Sequence, residues 1–186
     1  MPHVFEPAPT GRAKCRGCER PIAKGELRFG ERIPNPFAEG ETTLWFHPMC
    51  GAYKRPEAML EALGQAPAGS VPEPESLERA ARGNSAQRRL PRISGAERSP
   101  TAQAKCRSCH EPIARGEWRV RLVFYEEGRF NPSGFVHLDC RGDYFEGADI
   151  LAPLLHFSPD LSQDEQTELV RSCGNAADPG SASRQP

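Results

Sequence analysis

The sequence predicts small α+β domains, two of them, each a short antiparallel sheet plus a helix, joined by a flexible linker and stabilised by metal. Three observations carry this reading. Cys15 and Cys18 stand two residues apart in a turn, and His47 and Cys50 stand two residues apart further on. The same four ligand types return in the same order as Cys106, Cys109, His137 and Cys140. Apolar material is thin: 37% of residues are hydrophobic against 19 prolines and 17 glycines in 186 residues, so one large core is excluded.

Two residues of spacing let both side chains of a tight turn reach one ion, and the gap between the two pairs must fold back to close a four-ligand site. Three thiolates and one imidazole suit tetrahedral Zn2+, one ion per copy. The copies agree beyond the ligands. The run from Lys14 to Arg28 matches the run from Lys105 to Arg119 at an offset of 91, which falls to 90 at the His-x-x-Cys pair. A domain of about 50–60 residues buries little surface and is marginal unaided. A structural zinc contributes on the order of 10–16 kcal/mol in finger peptides, so metal is expected to be a condition of folding.

In chain order, residues 1–10 read as a disordered leader and residues 11–64 as the first domain. Within it, residues 26–33 alternate with Leu27, Phe29 and Ile33 on one side and read as a strand. Thr42-Thr43-Leu44-Trp45-Phe46 reads as its return, after turn chemistry at Pro34-Asn35-Pro36. Residues 56–63 read as a helix, opened by Pro56 and closed by Gly64. Residues 65–100 are rich in Pro, Ala, Gly, Ser and Arg and read as a flexible linker, with a short helix an option over 75–82. Residues 101–173 read as the second domain with a C-terminal helical extension. Residues 118–124 form its strand, residues 126–134 its hairpin loop, and Ser162-Gln163-Asp164-Glu165 a capping box for a closing helix. Residues 174–186 read as a disordered tail.

Seven cysteines fit six zinc ligands plus Cys173 and argue against a disulfide framework. No charged-then-apolar leader opens the sequence and no long apolar run crosses it, so a reducing intracellular setting is expected: cytoplasm or nucleoid if bacterial, nucleus if eukaryotic. Neither a membrane nor a small-molecule substrate is expected as a partner. The formal charge is −1, so any nucleic-acid contact must come from local patches. Residues 101–173 hold eight Lys/Arg against twelve Asp/Glu, which makes the second domain the acidic one.

The pattern Gly11-Arg12-Ala13-x-Cys15-x-x-Cys18, Ile22, Gly25-Glu26-Leu27-Arg28 and Trp45-Phe46-His47-x-x-Cys50 resembles the PARP-type zinc finger. That finger stands in tandem at the front of poly(ADP-ribose) polymerase and singly in a eukaryotic DNA ligase. The resemblance covers about residues 10–63 and 101–173. It implies a binder of DNA strand breaks that reads shape, not sequence, with arginines on phosphates and a hairpin loop stacking on exposed bases. On that resemblance Arg12 and Arg28 are phosphate contacts in the first finger and Arg119 in the second, while Phe37 and Phe130 are the stacking side chains. Gln103 replaces Arg12 in the second copy, and Glu126 and Glu127 flank its loop. The chain leaves no room for a polymerase or ligase domain, so tandem fingers without a catalytic domain are expected.

Other readings fit less. Cys106-Arg-Ser-Cys109-His110 has the spacing of a c-type haem attachment, but Glu19 occupies the His110 position in the first copy. A redox Cys-x-x-Cys leaves the His-x-x-Cys partners unexplained. Four protein ligands leave no open position for water and no spare His/Asp/Ser set accompanies them, so the chain is not expected to be an enzyme. The alternative function is a zinc-scaffolded protein-interaction module with a protein partner, which the acidic second domain favours.

Overall fold

A computed structural model describes residues 2–35 and 38–174. The chain divides into two compact units. The first comprises Met1–Ser94 with Val123–Ser133, the second Gly95–Leu122 with Gly134–Pro186.

In the first unit, β1 (Val4–Pro7), β2 (Leu27–Pro34) and β3 (Glu41–Phe46) form an antiparallel sheet in that order. The register places Phe5 opposite Phe29 and Phe29 opposite Phe46. Their rings stack across the sheet at 5.6 and 5.9 Å between centroids, and Phe29 and Phe46 are fully buried. Helices α1 (Pro48–Lys54) and α2 (Pro56–Gln65) pack on the sheet, and α3 (Pro74–Ser85) follows them. Each opens on a proline, where the missing N–H costs nothing. Gly51 of α1 lies so close to the sheet that a Cβ there would meet Phe29 Cδ1 at 2.6 Å and Met59 Cε at 2.9 Å.

Two sequence expectations are corrected here. The leader 1–10 is not disordered throughout, because β1 pairs with β2 along its whole length. The stretch 65–100 is not a flexible linker: it holds α3, a 3-10 turn at Leu90–Arg92, and β4 (Ile93–Arg98). α3 packs on α1 and α2 through a narrow stripe of Leu77, Ala81 and Asn84, all buried. The small Ala81 allows close approach there, and Leu77 is the one large apolar side chain of the stripe. The buried Lys54 Nζ donates to the Ile93 carbonyl and ties α1 to the start of β4.

Residues 123–133, the tip of the second hairpin, belong to the first unit. Tyr125 lies under the Arg55 guanidinium at 3.9 Å, and Phe130 meets the edge of Phe46 at 6.3 Å. Gly128 has φ +78°, and a Cβ there would meet Ile33 Cδ1 at 3.3 Å. Arg55 also grips the buried Glu31 carboxylate, with Nε at 2.7 Å from Oε2 and the terminal nitrogen at 2.6 Å from Oε1.

The second unit uses a sheet ordered β4, β5 (Trp118–Glu126), β6 (Arg129–His137). The strand β4 repeats β1: Ser99 N–H donates to Glu117 O at 2.8 Å, as Ala8 N–H does to Glu26 O at 2.8 Å. A short α4 (Arg141–Tyr144) follows the second ligand pair, then α5 (Leu151–His156) and α6 (Gln163–Gly174). Val120, Val136, Phe145, Ile150, Leu154 and Leu169 form its core. The capping box forms at α6: Glu165 N–H donates to Ser162 Oγ at 3.3 Å and Ser162 N–H to Glu165 Oε2 at 2.9 Å. Arg141 closes the other end of α6 by donating to the Ser172 and Cys173 carbonyls at 2.7 and 3.1 Å. Of the tail expected over 174–186, Gly174 ends α6 and the remainder lies outside the described residues.

Candidate functional site: two metal centres and a basic cleft

Each Cys-x-x-Cys turn is a knuckle held by its own backbone. Cys15 N–H donates to Arg20 O at 2.9 Å and Cys106 N–H to Glu111 O at 2.9 Å. The chain turns back through a left-handed residue after the second cysteine, Glu19 at φ 61° and His110 at φ 66°. His110 is therefore the exposed tip of a knuckle. The other ligand pair starts a helix: His47 is the N-cap of α1, and Cys50 follows one turn later on the same face. His137 and Cys140 frame the 3-10 turn Leu138–Cys140 in the same way.

The four ligand atoms of each set lie within 4.8 Å of one another. His47 Nδ1 is 3.4 Å from Cys18 Sγ and 3.9 Å from Cys50 Sγ. His137 Nδ1 is 3.4 Å from Cys109 Sγ and 3.7 Å from Cys140 Sγ. A tetrahedron with Zn–S of about 2.3 Å and Zn–N of about 2.0 Å has an S···N edge of roughly 3.6 Å, so both sets have the size of a zinc shell. The outer nitrogen of each imidazole faces an acceptor. His47 Nε2 is 3.6 Å from Glu26 Oε1, and His137 Nε2 is 3.2 Å from Pro112 O and 3.6 Å from Glu117 Oε2. Such partners fix the tautomer that leaves Nδ1 for the metal.

Electrostatics ask for a cation at both places. Hydrogen bonds from Cys15 and Cys50 hold the Cys18 thiol far below its usual range. The same crowding, from Cys15 and Cys18, drives Cys50 up and raises His47 to about 10. In the second set, burial works against ionising Cys106, but N–H groups of Cys109, His137 and Ser108 bring it down to about 7. Burial, then Cys109, pushes Cys140 up to about 12. Thiolates this close repel one another unless a dication sits between them. Cys15, Cys18, His47 and Cys50 form one zinc centre, and Cys106, Cys109, His137 and Cys140 the other. Both are closed by four protein ligands, the mark of a structural site.

The residues expected to touch DNA fare unevenly. Arg28 is buried, pairs with Glu6 Oε1 at 2.5 Å and lies over the Trp45 ring at 3.5 Å. Arg119 repeats this arrangement: it is buried, pairs with Glu97 Oε1 at 2.5 Å and lies over Phe135 at 3.6 Å. Both guanidiniums are thus buried, committed to partly exposed carboxylates, and not presented on an open face. Phe130 is half-buried between Phe46 and Tyr125, whose ring centroid is 5.1 Å away, so it is not an exposed stacking side chain. Phe37 lies outside the described residues. Arg12 alone of these is exposed.

Arg12 opens onto a cleft of about 690 Å3 within the first unit. Lys14, Arg16 and Arg129 line it too, with Trp45 and Phe130 forming part of the wall. None of the four cationic side chains makes an ion pair among the described residues. Arg16 and Arg129 also line a smaller neighbouring cleft of about 180 Å3.

A family model described as "Poly(ADP-ribose) polymerase and DNA-Ligase Zn-finger region" matches residues 6–83. Residues 6–83 are a PARP-type zinc finger. Similar proteins include a poly [ADP-ribose] polymerase of Drosophila melanogaster, 24% identical over 139 residues, covering 68% of this chain and 14% of that protein. A poly [ADP-ribose] polymerase 1 of Oryza sativa subsp. japonica is 24% identical over 168 residues, covering 79% of this chain and 16% of its own length. One of Caenorhabditis elegans is 36% identical over 50 residues, 27% of this chain and 5% of that protein. The chain therefore spans about a seventh of the length of the curated relatives it matches.

The match to the PARP-type finger reaches back into β1 and forward into α3, beyond the 11–64 expected from the ligands. The second copy of the finger likewise starts at β4, with Glu97, Pro100 and Thr101 repeating Glu6, Pro9 and Thr10 at the offset of 91. Lys14, Arg16 and Arg129, which line the cleft, are candidates that the sequence reading did not single out. Their signal was present: Lys14 and Arg16 flank a zinc ligand in the knuckle, and Arg129 follows the hairpin glycine.

Proposed function

We propose that this chain is a zinc-binding, non-enzymatic protein that recognises DNA strand breaks, nicks and ends, by shape. The observation that carries this reading is the cleft on the first finger. It gathers Arg12, Lys14, Arg16 and Arg129 beside the aromatic surface of Trp45. Arginines fix a strand by its phosphates without reading sequence. An aromatic ring gains roughly 1–3 kcal/mol by stacking on a base, and only a break offers an unstacked base face. The family match and the polymerase relatives support the same assignment. Zinc thiolates fit a reducing intracellular setting. Among the described residues no helix is long and apolar enough to cross a membrane. Arg28 and Arg119 take a supporting role in this proposal: each braces the strand beneath the knuckle instead of holding phosphate.

The test is a titration of zinc-loaded protein against intact, nicked and blunt-ended closed-hairpin DNA of one sequence. Tighter binding to nicked and ended DNA is expected, lost in Arg12→Ala plus Arg16→Ala and kept in a surface control such as Arg79→Ala. Equal weak binding to all three overturns the reading and leaves the second, a zinc-scaffolded protein-interaction module. That second reading is favoured by one observation, the burial of the Arg28 and Arg119 guanidiniums, each paired with a carboxylate of the strand beside it.

A further inference from the structure

The cleft has a feature that break recognition alone does not require. Three of its cations come from the first knuckle and the chain leading into it, and the fourth, Arg129, comes from hairpin 123–133, which folds as part of the same unit. Phe130 and Asn131 of that hairpin also line it. The hairpin is not loosely laid there. Phe130 packs on Phe46 at 6.3 Å, Arg55 covers Tyr125 at 3.9 Å, and Gly128 leaves room for Ile33 and Leu44. Arg129 is thus delivered to a set place in the cleft that Arg12, Lys14 and Arg16 line. Glu19 is the one acidic side chain of the lining.

Four cations against one carboxylate exceed the need of a single backbone phosphodiester, which carries one charge. A terminal phosphate monoester carries about −1.5 to −2 at neutral pH and offers three strong acceptor oxygens. Guanidinium forks match such oxygens bidentately. A cleft of about 690 Å3 also has the size of sites that enclose a small ligand, so it admits the nucleotide bearing that phosphate against Trp45. We propose that this composite cleft is a binding site for the phosphate-bearing terminal nucleotide of a broken strand, with Arg129 as its specificity-determining cation. The inference rests on the strand-break reading above and names the chemical group that the break must expose.

The experiment uses the full zinc-loaded chain with three nicked hairpins and one intact hairpin of one sequence. One carries 5′-phosphate and 3′-hydroxyl, one 5′-hydroxyl and 3′-phosphate, one hydroxyls on both sides, and an intact hairpin is the reference. At least one phosphorylated nick is expected to bind roughly tenfold tighter than the hydroxyl nick, since one more charge-assisted contact is made. Which of the two does so identifies the polarity. Arg129→Gln is expected to abolish the difference while binding to the hydroxyl nick stays above binding to the intact hairpin. Arg129 is exposed, and an unchanged melting temperature shows that the hairpin still folds. Equal binding to all three nicks, each tighter than intact DNA, overturns the terminal-phosphate inference and leaves break recognition standing. No preference for any nick overturns both. A phosphate preference that survives Arg129→Gln overturns the composite site.

Discussion

Replacing Arg55 by Met should destabilise the first unit more than any exposed-charge change in it. Glu31 lies in the middle of β2, 3% exposed, and both its carboxylate oxygens are held by the Arg55 fork at 2.6–3.0 Å. Burial works to lower the Arg55 value, and the Glu31 carboxylate more than reverses it, so the guanidinium is raised. Removing one member of such a pair leaves the other charge buried and uncompensated, which costs about 3–5 kcal/mol. Arg55 is partly open to water, with 27% of its side chain accessible, so solvent reaching Glu31 trims the cost to about 3 kcal/mol. Loss of the contact over Tyr125 adds about 0.5–1 kcal/mol. In a unit of this size each kcal/mol moves Tm by roughly 4–8 °C, so Arg55→Met should melt about 12 °C or more below the parent in calorimetry at fixed free zinc. The double variant Glu31→Gln plus Arg55→Met should recover part of the loss, because no buried charge remains. A single variant within 3 °C of the parent, or a double variant whose loss equals the sum of the two single ones, would refute the reasoning.

Chelation of zinc from the full chain should abolish cooperative unfolding and the near-ultraviolet circular dichroism of the aromatic cores, with recovery on adding two equivalents of Zn2+; a chelated chain that still melts cooperatively contradicts a structural role for the metal. Gly51→Ala should cost about 1–3 kcal/mol by overpacking, read as a shift in denaturant midpoint, because the new Cβ meets Phe29 at 2.6 Å and Met59 at 2.9 Å. Ser162→Ala should cost about 1 kcal/mol by removing the capping oxygen of α6. Neither of the last two should alter the zinc content measured by atomic absorption.

Much of the site was legible because metal ligation is a spacing problem. Cys15, Cys18, His47 and Cys50, and their repeats, had to converge; β2 and β5 showed alternation, and β3 showed its β-branched and aromatic residues. The capping box before α6 was equally local. The elements that escaped depend on distant partners. β1 is four residues of Val-Phe-Glu-Pro, too short for a pattern, and becomes a strand by pairing with Leu27–Pro34. α3 looked like a tether because its buried stripe is made of Leu77, Ala81 and Asn84, which suffices only where α1 and α2 lie close. Missing β1 and β4 hid Glu6 and Glu97, and with them the interior fate of Arg28 and Arg119. Phe130 read as an open loop aromatic because the hairpin's packing on Phe46 joins residues 84 positions apart.

Chemical-shift mapping of the zinc-loaded protein with a nicked hairpin, against the same hairpin intact, tests the central claim most directly. Saturable shifts are expected at Arg12, Lys14, Arg16, Trp45 and Arg129 with the nicked DNA, and small ones with the intact DNA. Shifts confined to other surfaces, with these five unmoved, would contradict the cleft as the place where a break is read.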